Sequence, residues 1–511
     1  MASAALHTLP VELQALILKF QFALSRRLKP LLRYVADGPQ RFKRIEEDPW
    51  DSDGPLLFNW IEEDLRSTSL FPYNIASVCK LWRDILAGIP ECWTRVVFDL
   101  AKDPAPFIDV FLWSKALTGI EVFVFNSSEA PDIVQESHRD LEYDRVSRIV
   151  QALVPHIDRC KSVTIDITYS SCLPSPTIFF RQDLSNIEKL SLISRIDDII
   201  VGNPLRTVVG NTDPSLAKSF PKLKALSLTG FWFMYLVLSA QSPDWFSHSV
   251  AKLVSLQVSQ FAFLETGHYT IENFVLCLSK FTGRTSHHLR DLSLSYAFDN
   301  IDGDYREEAP EIEGDIHFQS VSPGFISHFY AVSSLPELEE SCISFTTCQI
   351  PRLPRFLAHL TLVLTNIDGR SLRNVLKAWD GLELCICSCP SFKDTFITWL
   401  GAEIDYKVQW SELPIKVFRH GRLISVSIED CSNFTPSVLC AFVEARNNGA
   451  VSPRLCDQPL TMLEVTGRVP ALPDQSKAWF LRNAKTTIVR WQMVDENGKR
   501  ETFTTGAPVV S

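Results

Sequence analysis

The sequence lacks an apolar run long enough to cross a bilayer: its strongest candidate, FWFMYLVLSA at 231–240, is about half of the roughly twenty residues that a helical span needs. It reads as buried core. Positive charge is in deficit too. Lys and Arg number 50 against 60 Asp and Glu, a formal net charge of -10, and that balance repels a phosphate backbone, which excludes a general nucleic-acid binder. Cysteine is sparse and odd in number, 13 in 511 residues, so free thiols in a reducing compartment are expected rather than a disulfide framework. The stretch 13–24 is not read as a secretion signal, because it contains Lys19, follows Glu12 and has neither a basic lead nor a small-residue cleavage site. The expectation is a chain of the cytoplasm or nucleus that does not engage a membrane.

Recognisable catalytic chemistry is missing as well. The sequence has no G-x-x-x-x-G-K-S/T, G-x-S-x-G, H-E-x-x-H or dinucleotide glycine fingerprint, so neither enzyme activity nor a cofactor is expected. Cys385, Cys387 and Cys389 stand as C-x-C-x-C, whereas zinc sites use closely spaced pairs with a distant second pair; these thiols are expected to be structural and metal-free. His287 and His288 are adjacent without a partner motif and are expected in a surface loop. The acidic stretch at about 299–315 departs from a calcium loop, because Gly303 precedes Asp304 where a glycine should follow the third ligand position. It is expected to be a solvated insertion.

What is present builds cores. Hydrophobic residues make up 46% of the chain and charged ones 22%, a globular composition. At roughly 100 to 200 residues per domain, the length fits two to four domains, or one domain and a repeat array. From Leu9 the chain runs LPVELQALILKF, with Thr8 as a cap and Pro10 in the first helical turn, where its missing N–H costs nothing. Leu13, Leu16, Ile17, Phe20 and Leu24 recur at helical spacing. A second stripe, Ile75, Val78, Cys79, Trp82, Ile85 and Leu86, has the same period and stops at Gly88 and Pro90. Neither helix is long enough to be stable alone, so both need a surface to pack on.

LPVEL near the start, then NIASVCKLWRDILAGIPECWTRVVF, closely resembles the F-box, in which an LPxEL helix is followed by a VCxxWR helix and a P-x-x-W segment. F-box proteins with a divergent leucine-rich C-terminal region are abundant in mushroom-forming fungi. The resemblance implies a three-helix module that docks on a Skp-type adaptor and, through it, on a cullin. It further implies that Leu9, Pro10, Leu13 and Ile17 lie on the adaptor-facing helix, that Ile75, Val78, Cys79, Trp82, Arg83 and Ile85 contribute from the VCxxWR match, and that Trp93 is the final tryptophan. Between the two halves this chain carries an insert at about 21–70, basic (Arg26, Arg27, Lys29, Arg33, Arg41, Lys43, Arg44) and then acidic (Glu46, Glu47, Asp48, Asp51, Asp53). Such a charge run is expected to be a solvated loop, a nuclear-import or docking signal being the sharper alternative.

Beyond residue 100 an apolar triplet of the form L-x-x-L-x-L recurs, alternating at its end as a strand does. It appears as CKSVTI (160–165), IEKLSL (187–192), LKALSL (223–228), LVSLQV (253–258), LRDLSL (289–294), LAHLTL (357–362), LISVSI (423–428) and LTMLEV (460–465), with Ile343/Phe345 and Leu384/Ile386 between. Segments such as SLRNVLKAW and TPSVLCAFVEA, apolar at helical spacing, separate them. Strand then helix at a period near 30 to 40 residues is the signature of a leucine-rich-repeat-like solenoid; a generic α/β domain with parallel strands shows the same alternation. Cys348, Cys389 and Cys431 each follow a strand apolar residue by three positions, which resembles the cysteine-containing leucine-rich repeat, where the thiol packs inside the turn.

The expected architecture is therefore α/β: an F-box-like helical module over 1–100, then an irregular solenoid with a parallel sheet over 101–511. If the L-x-L aliphatics point inward, the residues between them line the opposite, concave face. Ser227, Gln257, Ser293, Ser344 and Ser427 are the candidate contacts for an unknown protein target there, unless they merely fill a tight inner curve. The function expected is a substrate-recruiting subunit of a cullin-RING ubiquitin ligase. The alternatives are a leucine-rich scaffold outside such ligases and an enzyme of unrecognised type.

Overall fold

A computed structural model describes residues 9–27, 72–128, 135–180, 186–199, 222–239, 252–265, 267, 269–281, 285–296, 309–335, 341–353, 357, 359–406, 415–418, 420–449, 458–484, 486–495 and 498–505. Its contacts define two compact units. One comprises Met1–Trp232 with His248–Lys252, the other Phe233–Ser247 with Leu253–Ser511.

The first unit opens with a helix over Val11–Arg27, a single helical turn over Tyr73–Ala76, a helix over Lys80–Ala87 and a 3-10 turn at Pro90–Trp93. The first helix runs on through Arg27, into the start of the expected charged insert; the rest of that insert lies outside the described residues. Strands β1 (Arg95–Asp99), β2 (Ile120–Phe125), β3 (Cys160–Tyr169), β4 (Lys189–Ile196) and β5 (Ala225–Thr229) follow and pair in parallel, each with the next in sequence. β1 thus begins inside the stretch expected to be all-helical. Parallel neighbours require a crossover between them. The connection from β2 to β3 carries the helix Glu136–Leu153, which buries Val146, Ile149, Val150 and Leu153 at i, i+3, i+4 and i+7.

The second unit repeats the scheme with β6 (Ser255–Phe263), β7 (Ser286–Leu294), β8 (Ile316–Gln319), β9 (Cys342–Thr346), β10 (Thr361–Thr365), β11 (Glu383–Cys387), β12 (Glu403–Tyr406), β13 (Ile415–Phe418), β14 (Ser425–Glu429), β15 (Met462–Gly467), β16 (Ile488–Val494) and β17 (Arg500–Thr504). β6 to β11, then β14, β15 and β16, are parallel neighbours in that order. β17 closes antiparallel on β16, and β12 pairs antiparallel with β13. The chain is thus mixed α/β with a mostly parallel sheet. The expected helical segments are observed as Gly369–Lys377 and Pro436–Gly449.

The core of this unit is aromatic. Phe263, Phe274 and Phe325 form a triangle with centroids 5.6 to 5.9 Å apart. Phe329 and Phe318 extend it, and Phe318 stacks on Phe345 at 5.2 Å. The strands thus pack one face on the helices Ile271–Leu278 and Pro323–Val332. Side-chain caps start the helices: Thr270 accepts from the Asn273 N–H, Ser322 from Phe325, and Asp368 from both Arg370 and Ser371.

One backbone device recurs along the sheet. A left-handed residue stands within β6 and β7 at Gln260 and Asp291, just after β8 to β11 and β14 at Ser320, Thr347, Asn366, Ser388 and Asp430, and at the last residue of β15, Gly467. From Ser320 to Asp430 its N–H donates to a carbonyl on the next strand in the order, as in Thr347 to Thr365 at 3.0 Å and Ser388 to Glu429 at 2.8 Å. The chain then turns inward, burying Phe261, Leu292, Val321, Cys348, Ile367, Cys389 and Cys431. The three thiols satisfy backbone groups there: Cys348, Cys389 and Cys431 accept from the N–H of Val321, Ile367 and Cys389, and donate back to the carbonyls of Phe318, Leu364 and Ile386. Burial raises the thiol pKa of Cys389, and pushes that of Cys431 up to about 12, so both stay protonated as donors.

Candidate functional site

Two surfaces carry the residues singled out in the sequence. Among the described side chains of the helix Val11–Arg27, Gln14 and Leu18 are buried, and the Gln14 amide donates to the Leu9 carbonyl at 2.8 Å. The predicted apolar stripe is on the other side. Leu13, Leu16, Ile17 and Phe20 are 46%, 61%, 44% and 66% exposed, an i, i+3, i+4, i+7 row of large hydrophobics with Val11 beside it. Val78 just before the helix Lys80–Ala87 and Leu81 within it are exposed, while Ile75, Cys79, Trp82, Arg83 and Ile85 are half-buried. Leu9 is half-buried and Pro10 exposed.

Trp93, expected with this set, is instead fully buried. Its indole N–H donates to the Leu86 carbonyl at 2.9 Å, and its ring meets Tyr73 at 5.7 Å and Trp113 at 5.0 Å. A side chain enclosed in this way fixes the helices to β1 and has no surface left for a partner.

On the strands, the residues between the inward-pointing pairs do align. In the first unit the row is Val97, Phe123, Thr164, Ser191 and Ser227. In the second it is Gln257, His288, His317, Ser344, Val363, Cys385, Ser427, Glu464 and Arg490. Ser227, Gln257 and Ser427 stand in these rows and are half-buried. Ser344 is in its row but buried, its hydroxyl 2.7 Å from the His317 Nδ1, so it is not open to a target.

Ser293 is misplaced by the sequence reading. The inward pair of β7 is His287 and Leu289, not Leu292 and Leu294, and His288 holds the row position opposite Gln257. Ser293 lies beyond the left-handed Asp291 and pairs with Ala262. The same shift removes His287 and His288 from the expected surface loop. His287 is buried, with Nε2 3.1 Å from the Glu313 carbonyl, and burial lowers its pKa to about 4. The His288 and His317 rings stack at 4.5 Å, and desolvation, then the neighbouring imidazoles, lowers His317 to about 3. Both rings were missed by pattern reading; HHL at 287–289 is the available signal, since strand alternation puts His288 out whenever Leu289 points in.

Cys385 is half-buried in the row and Cys387 in the next row on the same face, with sulfurs 3.5 Å apart. Glu464 and Arg490 in the row, with Arg290 and Glu429 beside it, bring some charge to the face. The described part of the acidic stretch at 299–315 begins at residue 309, and Glu311 bridges to Ser334. Among the described residues no group of three or more His, Cys, Asp or Glu side chains is placed to hold a metal ion, and no helix is long and apolar enough to cross a membrane. What these surfaces can do chemically is bind: an apolar helix face in the first unit and a polar strand face in the second. No known family model matches the chain, and no curated protein matches it.

Proposed function

We propose that this chain is a substrate-recruiting subunit of a cullin-RING ubiquitin ligase. In this reading the N-terminal helices are an F-box-like all-α module that docks on a Skp-type adaptor. The strand–helix units form a leucine-rich-repeat-like solenoid whose concave strand face holds a protein target. The chemistry belongs to other subunits, and this one supplies proximity, raising the effective concentration of target lysines near the conjugating enzyme.

The observation that carries the reading is the exposed row Leu13, Leu16, Ile17 and Phe20. A contiguous apolar stripe of this kind on a water-facing helix marks an interaction site, and i, i+3, i+4, i+7 is the spacing with which a helix fills a hydrophobic groove on a partner. Val78 and Leu81, just before and within the helix Lys80–Ala87, are exposed apolar side chains as well.

Co-purification of the full chain with a Skp-type adaptor tests the reading. The double variant Leu13→Ala, Trp82→Ala should abolish adaptor capture, since truncating a large apolar side chain at a buried contact costs about 2 to 5 kcal/mol. Unchanged capture by the variant, or no capture by the parent chain, overturns it. A chain that holds a protein target without ever holding the adaptor would instead be a scaffold outside ubiquitin ligases.

A further inference from the structure

We propose that Cys385 and Cys387 close into a reversible intramolecular disulfide, which makes the face of β11 opposite the buried Leu384 and Ile386 a redox modification site. The two residues are i and i+2 on one strand, so their side chains leave the same face, and their sulfurs already lie 3.5 Å apart. Cys79, Cys342, Cys385 and Cys387 are the half-buried thiols among the described cysteines, the other eight being buried. Of these four, Cys385 and Cys387 adjoin each other where a small reagent can reach them. Cys389, two residues on, is taken up inside the turn by its bonds to backbone groups.

Burial and the Glu429 and Glu464 carboxylates oppose a thiolate here, and the contact between the two sulfurs favours one on Cys385. Either sulfur can donate in that contact, and the Cys387 thiol also reaches the Glu429 carboxylate at 3.5 Å. With Cys387 as donor, the sulfur–sulfur bond holds the Cys385 pKa below the usual thiol range against burial and the two carboxylates, while that of Cys387 is raised. The pair therefore divides into an attacking and a resolving thiol. The Cys385 thiolate attacks a low-molecular-weight disulfide such as glutathione disulfide, releasing one thiol and forming a mixed disulfide. Cys387 then displaces the second thiol, its proton passing to the leaving sulfur. Two S–H bonds are lost, one S–S bond forms, and the oxidant is reduced to two thiols.

Geometry also sets the character of the bond. A relaxed disulfide needs Cβ atoms about 3.5 to 4.5 Å apart, closer than alternate residues of an extended strand stand. Cys387 is the last residue of β11, and the left-handed Ser388 follows it, so the bend falls where the ladder ends. The core anchor between the two, Ile386, is fully buried and resists it. A bridge closed against that resistance is strained, and strained disulfides are the readily reduced ones.

The test does not depend on the ligase reading. The full chain is equilibrated with reduced and oxidised glutathione, alkylated and digested with trypsin, and the peptide 378–393 is sequenced by mass spectrometry. Expected is a loss of two hydrogens, located between Cys385 and Cys387 and reversed by reduced glutathione, with Cys387→Ser instead retaining one glutathione on Cys385. A stable glutathione adduct on the parent chain, a bridge to Cys389, or thiols that remain free at the oxidising end of the titration overturns the proposal.

Discussion

The Val97 N–H donates to the Tyr73 hydroxyl at 2.6 Å, tying the one-turn helix Tyr73–Ala76 to the strand that begins the sheet of the first unit. β1 pairs with β2 along one side, and an unpaired strand edge otherwise presents free backbone donors. The phenol fills that role at one position while its ring packs edge-on against Trp93 and Phe107, at 5.7 and 5.2 Å. Burial holds the phenol protonated well above its ordinary range. The helices and the first strand are therefore one packed body, held through Tyr73 and Trp93.

Tyr73→Phe isolates the hydrogen bond. It keeps the aromatic contacts and leaves the Val97 N–H buried without its acceptor, which should cost about 1 to 3 kcal/mol. Urea unfolding should show a lower midpoint with an unchanged slope. An unmoved midpoint would mean that the strand edge is satisfied in some other way.

How far the sequence discloses this molecule depends on what each signal encodes. Apolar alternation located β3 to β7, β9, β11, β14 and β15, and reached the start of β10 with LAHLTL, because one buried face dictates it. It missed β8, where IHFQ has only two inward residues beside an acidic stretch, and it slipped on β7. There LRDLSL offers three leucines, but Asp291 is left-handed and breaks the two-residue period, so Ser293 was read onto a row that His288 occupies. Of the expected adaptor contacts, the stripe on the first helix is exposed as a docking face requires, whereas Trp93 is spent on the interior. Nothing in local spacing tells a tryptophan that binds a partner from one that holds the fold, since both are large and apolar.

The left-handed ladder supplies a second prediction, with two signs. Thr347 has φ of 51°, a conformation that a β-branched side chain tolerates poorly. Thr347→Asn should therefore stabilise the chain by about 1 kcal/mol, asparagine being one of the few non-glycine residues that visit this region. The equivalent Gly467, at φ of 85°, lies so close to Asp430 that a Cβ would stand 2.3 Å from its Oδ1, and that carboxylate accepts from the Arg468 N–H at 2.8 Å. Gly467→Ala should cost about 1 to 3 kcal/mol. Thermal melts of the two variants should move in opposite directions; a shift of both the same way would contradict the shared backbone requirement.

The last prediction concerns pH and follows from two buried imidazoles of the second unit. Burial lowers both His287 and His359 to about 4, whereas in the unfolded chain each titrates near its ordinary value of about 6.5. As pH falls below about 6.5 the unfolded state takes up protons that the folded state refuses, so stability present at neutral pH is lost progressively down to about 4. Below that both states are protonated and these residues add no further slope. The loss should be on the order of 3 kcal/mol for each imidazole, as an upper figure. His359 makes the cleaner probe, because desolvation is the one cause of its shift. His359→Leu should flatten the fall in unfolding free energy between pH 7 and 4, measured by urea titration at several pH values, even if it changes stability at pH 7. A variant that loses stability on acidification as steeply as the parent would show that the His359 ring is protonated in the folded chain.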